Sequence, residues 1–372
     1  MTVLPSFPKV HFDFGAIEAL GSELGLRGIA RPLIITDEGL VEHGIVDKVR
    51  GAIPSGIEVA VYDAIPANPT IAGVEGALAV YRDGGHDGII GVGGGSVLDS
   101  GKALRTIATH SEKLIEYLRD SEKITKHVAP YITVPTTAGT GAEITFGGGI
   151  HPEANHHALP IRSMHVRPDV AICDPELTLT LPPLLTAATG MDAFGHCLEG
   201  FMATTVNPPI DAVALDGIAR VATYIERAVA DGGDREARWH MLMAALEGGM
   251  AIYKRLGPVH TLAHLFGDSP LHHGAMVALA MPAVIRFYEG HVDERLDKVA
   301  AAMGVASGAK LGQAVADLNG RVGLPAGVRE LGYRVTDLDA ISAEAAKGAF
   351  DATAPRKPTR AQYRVIIEEV LG

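Results

Sequence analysis

The first half of this sequence alternates short apolar segments with segments of helical periodicity, and this alternation limits the possible folds most strongly. The strand-like runs are residues 32–37, 57–62, 88–92 and 131–135, and the helical patterns are residues 71–81 and 97–107. Short apolar strands separated by helices are typical of a parallel sheet that is covered on both faces. Ligands bind to such sheets at the carboxyl ends of the strands. The first half is therefore predicted to be an α/β domain with a ligand site at that edge.

The second half loses this alternation and is predicted to be helical. Leu181-Pro182-Pro183 is a typical helix start, and helical patterns then cover residues 211–229, 235–253, 276–288 and 292–303. A chain of 372 residues usually forms two or three domains. We therefore predict an α/β domain over residues 1–177 and an all-helical domain over residues 178–372.

The composition excludes several classes of protein. A hydrophobic content of 47% with 20% charged residues predicts a globular chain. The net charge of -12 argues against binding to nucleic acid, which relies on clustered Lys and Arg. The only cysteines, Cys173 and Cys197, exclude a disulfide framework and fit the reducing cytoplasm. No apolar run reaches about 18 residues, so we expect neither a signal peptide nor a membrane span.

Two pairs of polar residues in the second half are spaced four apart: Asp192 with His196, and His260 with His264. Residues at i and i+4 lie on one face of a helix, so each pair can direct two polar groups into the same space. Residues 272–274 add two more histidines. One carboxylate and three imidazoles suit a divalent first-row metal such as iron or zinc. Coincidence is the alternative in a chain with 16 histidines, although buried polar groups among apolar neighbours need partners.

A glycine-rich junction over residues 91–99 joins a predicted strand to a predicted helix. Glycine lets the backbone approach a phosphate, and the free N–H groups of a helix N-terminus favour its negative charge. Residues 136–141 follow the next strand and offer hydroxyls and glycines at the same edge. The alternative is a tight turn that Ser96 or Asp99 merely caps. The run matches neither the G-x-G-x-x-G fingerprint nor a Walker A loop.

Asp37 ends the first of these strands. A carboxylate at this position can accept hydrogen bonds from the ribose hydroxyls of an adenine nucleotide, and it would repel a 2′-phosphate. Its alternative role is the N-cap of a helix that begins at Glu38.

Taken together, these motifs resemble the iron-containing, or group III, alcohol dehydrogenase family. The resemblance covers nearly the whole chain and is carried by residues 12–15, 35–37, 67–70, 93–102, 134–143, 168–170, 174–177, 190–200 and the histidine-rich stretch 260–273. It implies an N-terminal nucleotide-binding α/β domain with a parallel sheet and an all-helical C-terminal domain. It also implies an NAD-dependent, divalent-metal-dependent oxidoreductase that interconverts an alcohol and its aldehyde or ketone by hydride transfer.

The resemblance also implies roles for individual residues of this chain. The metal, Fe2+ or Zn2+, would be held by Asp192, His196, His260 and His273. His264 would lie near the substrate and the nicotinamide and could pass a proton outward. The cofactor would be contacted by Asp37, Gly94, Gly95, Ser96, Asp99, Thr136, Thr137 and Thr140. With Asp37 present, NAD is favoured over NADP. We also expect a homodimer or larger homo-oligomer.

The sequence departs from the family in two places near the expected substrate. A lysine that the family usually carries about ten residues before the Pro168 equivalent is missing, and residues 156–160 read His-His-Ala-Leu-Pro. Residues 146–151 replace bulky residues with three glycines and end in His151. Glycines make room, and nearby histidines and Arg162 can pair with an acidic group. We therefore expect a polar or anionic hydroxy compound as substrate; the alternative is a glycine turn with its histidines in solvent.

Two other functions remain open at this level. One is a metal- and NAD-dependent lyase of the dehydroquinate-synthase type, which has a related fold. The other is a nucleotide-binding protein that has lost its activity. The pattern of one Asp with three His speaks against both.

Overall fold

The computed structural model describes residues 4–153, 156–266, 272–335, 337–348 and 350–372. The chain forms two compact units, each of which joins separate segments of the chain. The first unit combines Ser6–Thr137 with Ala142–Thr178, and the second combines residues 4–5, Ala138–Gly141 and Leu179–Gly372. The predicted domain boundary after residue 177 stays a prediction; in the structure the main change of unit falls after Thr178, and residues 138–141 belong to the second unit. The functions predicted for the two domains are taken up again below as proposals.

The first unit is built on a parallel sheet. Its strands are β1 (Lys9–Phe12), β2 (Pro32–Ile35), β3 (Ala60–Tyr62), β4 (Gly88–Gly93), β5 (Tyr131–Pro135) and β8 (Val170–Cys173). Their order across the sheet is β1-β8-β5-β4-β2-β3, and every neighbouring pair is parallel. A separate antiparallel hairpin pairs β6 (Gly147–Ile150) with β7 (Leu159–Arg162). The predicted α/β fold with a parallel sheet is confirmed.

Both faces of this sheet are buried. Leu33 and Ile89 pack in one apolar core, whereas their neighbours Ile34 and Ile90 pack in another. Burial on both faces explains why these strands are nearly continuous apolar runs. The helices of this unit are α1 (Leu20–Leu26), α2 (Glu38–Glu42), α3 (Ile45–Gly51), α4 (Ile71–Asp83), α5 (Gly95–Ile107) and α6 (Leu114–Arg119).

The second unit is helical, as predicted. Its helices are α7 (Pro183–Met202), α8 (Pro208–Ala230), α9 (Arg235–Ala251), α10 (Pro258–Leu265), α11 (His273–Tyr288), α12 (Asp293–Met303), α13 (Leu311–Arg321), α14 (Leu338–Ala345) and α15 (Arg360–Leu371). Short 3-10 turns occur at Ala16–Ala19, Ser121–Lys123, Pro175–Thr178, Ile252–Lys254, Gly308–Lys310, Val328–Leu331 and Asp351–Thr353. None of the helices in the described part of the chain combines the length and the apolar character that a membrane crossing needs.

Two glycines bring the segment Ala138–Gly141 against the helices of the second unit. A Cβ at Gly139 would lie 2.6 Å from the carbonyl oxygen of Thr189 on α7. A Cβ at Gly141, whose φ is +61°, would lie 2.4 Å from the Cα of Gly249 on α9. A larger residue at either position would push the segment Ala138–Gly141 away from the backbone of α7 or α9, so this close packing depends on glycine.

The glycine-rich segment over residues 146–151 is largely a strand, not a turn. Gly147–Ile150 pairs with Leu159–Arg162, and a Cβ at Gly148 would lie 2.4 Å from Cγ of Asp99 on α5. The backbone N–H of Gly149 donates to Asp99 Oδ2 at 3.1 Å. The glycines therefore let this hairpin lie directly on α5.

Candidate metal and nucleotide sites

Three imidazoles converge on one carboxylate oxygen inside the second unit. The Nε2 atoms of His260, His196 and His273 lie 3.6, 3.8 and 3.8 Å from Asp192 Oδ1. Asp192, His260 and His273 each offer one ligand atom, and these atoms lie within 4.8 Å of one another. His196 lies beside these three residues. Its Nε2 faces Asp192, and its ring stacks on that of His260, with ring centroids 4.6 Å apart. The four residues predicted as metal ligands are thus neighbours.

The spacing of these atoms fits a divalent metal ion. Distances of 3.6 to 3.8 Å are too long for hydrogen bonds. Among the described residues, Asp192 Oδ1 and His260 Nε2 are buried without a hydrogen-bond partner, which is costly for polar groups. Tetrahedral ligands about 2.0–2.2 Å from an ion lie roughly 3.3–3.6 Å from one another. The unsatisfied atoms are therefore spaced as ligands, and the donor set suits iron or zinc.

The electrostatics of the cluster favour the metal-ligating protonation states of Asp192, His196 and His273, but not that of His260. Burial raises the pKa of Asp192, but the neighbouring imidazoles outweigh it and lower that pKa. Burial lowers the pKa of both His196 and His273 to about 4, although Asp192 opposes the shift. Burial also lowers the pKa of His260, but the carboxylates of Asp192 and Glu199 outweigh it and raise the pKa to about 9. Two imidazoles are therefore neutral at pH 7, and the third must release a proton to bind a metal.

Contacts behind the cluster orient two of its imidazoles. His260 Nδ1 donates to Glu199 Oε2 at 2.7 Å, and His196 Nδ1 donates to the carbonyl oxygen of Gly139 at 3.3 Å. Both bonds leave Nε2 as the nitrogen that faces Asp192. Sequence reasoning missed both roles. The spacing of Glu199 seven residues after Asp192, on the same helix face, is the signal that could have found it.

The two remaining histidines of this region lie beside the cluster. His264 is exposed on α10; its ring stacks on Phe350 at 4.8 Å and meets the ring of His273 edge-on at 5.2 Å. His272 caps α11, because its ring accepts a hydrogen bond from the N–H of Gly274. The resemblance assigns His273, and not its neighbour His272, to the metal, and this assignment stays a prediction.

The predicted nucleotide contacts of the first unit gather at the carboxyl ends of β2, β4 and β5, which are adjacent strands. Gly94 is the N-cap of α5 and has no side chain that could cap the helix. A Cβ at Gly94 would lie 3.1 Å from Cγ2 of Thr137. Thr136 donates its N–H to the carbonyl oxygen of Gly93 at 3.1 Å. Gly94, Gly95, Thr136 and Thr137 therefore lie together beside the N–H groups of a helix N-terminus, which favour anions.

Four other predicted cofactor residues have structural contacts of their own. Asp37 Oδ1 accepts from the N–H of Leu40 at 3.1 Å, so Asp37 is the N-cap of α2. The Ser96 hydroxyl donates to the carbonyl oxygen of Ala67. Asp99 holds the hairpin, as described above, and Thr140 belongs to the segment of the second unit. Contacts of these four residues with a nucleotide stay predictions.

Asp99 also binds a buried cation, Lys102, which belongs to the motif at residues 93–102 but to which the sequence interpretation gave no role. The ammonium group of Lys102 is fully buried and donates to Asp99 Oδ1 at 2.9 Å, to Thr145 Oγ1 at 2.9 Å and to the carbonyl oxygen of Gly147 at 2.7 Å. All three of its protons are thereby satisfied. Lys102 and Asp99 together fix the hairpin on α5.

Comparison with known proteins agrees with this geometry. The family model described as iron-containing alcohol dehydrogenase matches residues 8–175, and the model of the C-terminal part of the same family matches residues 186–371. A 4-hydroxybutyrate dehydrogenase of Cupriavidus necator is 43% identical over 97% of both chains. A 1,3-propanediol dehydrogenase of Klebsiella pneumoniae is 35% identical over 97% of both chains. The crystal structure of a 1,3-propanediol oxidoreductase is 33% identical, with a TM-score of 0.92 over all of both chains.

These relatives are dehydrogenases, so the lyase alternative is not favoured. The two family models together span both compact units. The chain therefore belongs to the iron-containing alcohol dehydrogenase family, whose members interconvert alcohols with their aldehydes or ketones.

Proposed function

We propose that this protein is an NAD-dependent dehydrogenase that holds one divalent metal ion on Asp192, His196, His260 and His273 and oxidises an ω-hydroxy acid. The observation that carries the proposal is the convergence of three imidazole nitrogens on one buried, unsatisfied carboxylate oxygen. The test is NADH formation by the purified protein with alcohols, diols and hydroxy acids, with added iron, zinc or manganese. No NADH formation from any of them would contradict the proposal.

Asp192 and the three histidines would serve the reaction by holding the ion and setting the charge of its site. A divalent ion lowers the pKa of an alcohol hydroxyl and polarises a carbonyl oxygen in the reverse direction. Asp192 lowers the net positive charge of the loaded site, while three neutral imidazoles supply nitrogen ligands. Burial of Asp192, His196 and His260 keeps water away from these ligands and strengthens their electrostatic interactions.

His264 is the candidate for moving the proton that leaves the substrate hydroxyl. Its ring touches that of His273 and is exposed to solvent, so a proton on it can pass to water. Imidazole is a common proton carrier in enzymes and suits this exchange. The stack on Phe350 fixes the plane of the ring.

NAD binds the first unit, with its phosphates at the N-terminus of α5. The support is the set of glycines and hydroxyls at the carboxyl ends of three adjacent strands, which is where open α/β sheets bind ligands. Gly94 is the N-cap of α5 and Gly95 its first residue; the N–H groups at the start of a helix have no intrahelical partner, and such groups bind phosphate. NAD held there would supply the acceptor for the hydride of the alcohol.

The preference for NAD over NADP is expected to depend on the charge of Asp37. Asp37→Ser keeps a side chain that can cap α2 but removes the carboxylate, and Asp37→Gly removes both. Like charges near a protein surface repel by about 1–4 kcal/mol. We therefore expect the ratio of kcat/KM for NAD to that for NADP to fall by roughly tenfold or more in both variants. A wild-type enzyme that already prefers NADPH would show that Asp37 does not face the 2′ position.

The substrate is proposed to carry a carboxylate at the end remote from its hydroxyl. The 43% identical relative is a 4-hydroxybutyrate dehydrogenase, and the β6–β7 hairpin of this chain carries candidate partners for an acid. Arg162 is exposed on β7, with its guanidinium 5.4 Å from the ring centre of Phe146. His151 donates Nδ1–H to the carbonyl oxygen of His156 at 2.5 Å, so Nε2 is the ring nitrogen through which it would contact an acid.

Steady-state rates with 4-hydroxybutyrate and 1-butanol, which match in length, test this substrate class. We expect the wild-type kcat/KM to favour the acid. Loss of one charge-assisted hydrogen bond, in Arg162→Gln or His151→Ala, costs about 1.5–3 kcal/mol, or roughly 10- to 100-fold in kcat/KM. 1-Butanol serves as the internal control, because its rate should not change in the same variant. A preference for butanol that both variants retain would refute an acidic substrate.

We also propose that the protein works in the cytoplasm as a homodimer or larger homo-oligomer. Both cysteines are free and buried, as expected where thiols stay reduced. Light scattering tests the assembly, and a mass equal to the 38.9 kDa of one chain would contradict it.

A further inference from the structure

Glu199 is a buried carboxylate on α7 that binds the whole N-terminus of α10. Its Oε1 accepts from the N–H of Val259 at 2.7 Å, and its Oε2 accepts from the N–H groups of Gly257 at 2.9 Å and His260 at 3.3 Å. Pro258 has no N–H to offer. Glu199 thus satisfies the donors that a helix start leaves without intrahelical partners.

The same carboxylate fixes the ring of His260. Oε2 also accepts from His260 Nδ1 at 2.7 Å, so Nδ1 keeps its proton and Nε2 is the nitrogen that can bind an ion once it is deprotonated. That Nε2 lies 3.6 Å from Asp192 Oδ1. Glu199 lies seven residues after Asp192, two turns along the same face of α7. One helix therefore carries both a proposed ligand and the group that orients a second ligand.

We propose that Glu199 is a positioning residue for the metal site: it fixes the tautomer and the rotation of His260 and thereby raises the affinity for the ion. This inference rests on the metal site proposed above. A carboxylate behind a ligating imidazole increases the basicity of that ligand, and loss of such a partner typically costs about 10- to 100-fold in metal affinity.

The backbone contacts of Glu199 require a control that separates positioning from general stability. Asp351 supplies it, because it is also a buried carboxylate that holds α10. Its Oδ1 accepts from Thr261 Oγ1 at 2.8 Å, and its Oδ2 accepts from the hydroxyl of Tyr363 at 2.5 Å. Asp351 therefore binds Thr261, the residue next to His260, through a hydroxyl group and not through an imidazole.

The test compares Glu199→Gln with Asp351→Asn in the full-length protein after removal of metal with a chelator. The glutamine keeps the size of the side chain but has one acceptor oxygen and an NH2 group, so it cannot serve both the backbone and His260. Zinc affinity is measured by competition with a chromophoric chelator, Co2+ binding by its d–d absorption, and stability by thermal unfolding of the metal-free protein.

We expect Glu199→Gln to weaken zinc binding about 10- to 100-fold and to change the Co2+ spectrum. Asp351→Asn should lower the melting temperature but leave the affinity and the spectrum as in the wild type. Glu199→Asp, which keeps the charge but retracts it by one methylene, should also bind zinc more weakly.

Three results would overturn the inference. One is wild-type zinc affinity in Glu199→Gln, and another is an equal loss of affinity in Asp351→Asn. The third is failure of both Glu199 variants to fold while Asp351→Asn folds, because the carboxylate would then serve the helix and not the ligand. If the wild type itself does not bind Co2+ at one ion per chain, the proposed metal site is wrong, which is a distinguishable failure.

Discussion

Replacing His260 by alanine is expected to remove the bound metal and the activity together, while the chain stays folded. His260 is 1% exposed, and its Nε2 is one of the buried atoms without a hydrogen-bond partner among the described residues. The variant loses one ligand and the hydrogen bond to Glu199, but Glu199 keeps its bonds to the backbone of α10. The metal contributes several kcal/mol to transition-state stabilisation, so activity should fall by about 10³-fold or more.

Metal content by elemental analysis and NADH formation are measured on the same preparation of the His260→Ala variant. The matched control is His240→Ala, which removes an imidazole that stacks on Tyr224 at 3.9 Å within the same unit. That variant should keep both metal and activity. Full metal occupancy in His260→Ala would place the ligands elsewhere and contradict the proposed site.

The sequence was most informative where one chemical requirement determined several positions at once. Strands buried on both faces must be apolar throughout, so β2, β4 and β5 could be recognised from short runs without any partner being known. The i,i+4 spacing of Asp192 and His196 likewise predicts a shared helix face, and their burial agrees with the apolar residues around them.

The sequence was least informative where tertiary contact overrides local preference. Glycine is unfavourable in strands, yet Gly147–Ile150 forms β6 because Gly148 lies against Asp99 and Gly149 donates to it. The strand predicted from residue 57 begins only at Ala60, at the edge of the sheet, where one neighbour is missing. No local pattern encodes such contacts.

The run over residues 136–141 shows a related limit. Its hydroxyls and glycines predicted one nucleotide loop, but the structure divides the run between the two units. Thr136 and Thr137 lie beside Gly94, whereas the carbonyl oxygen of Gly139 accepts a hydrogen bond from His196 Nδ1. A glycine selected for close packing looks the same in sequence as a glycine selected for phosphate binding.

The packing of α11 against α7 leads to the second large expected effect: Gly274→Ala should destabilise the protein and weaken metal binding. A Cβ at Gly274 would lie 2.2 Å from the carbonyl oxygen of Ala188 and 3.2 Å from Cβ of Asp192. The closest of these atoms belongs to the backbone and cannot rotate away, so the two helices must separate. Overpacking of this kind costs about 1–3 kcal/mol, and we expect a value near the upper end.

Separation of these helices also acts on the metal site, because His273 is the first residue of α11 and Asp192 lies on α7. The methyl group should therefore move two proposed ligands apart, and zinc affinity should fall along with the free energy of unfolding. Gly320→Ala on α13 is the control, since a Cβ there meets no atom within 4 Å and alanine favours a helix by about 0.5–1 kcal/mol. Chemical denaturation and zinc competition measure both effects. A Gly274→Ala variant as stable as Gly320→Ala would show that α7 and α11 do not pack this closely, and unchanged zinc affinity in a destabilised variant would separate this packing from the ligands.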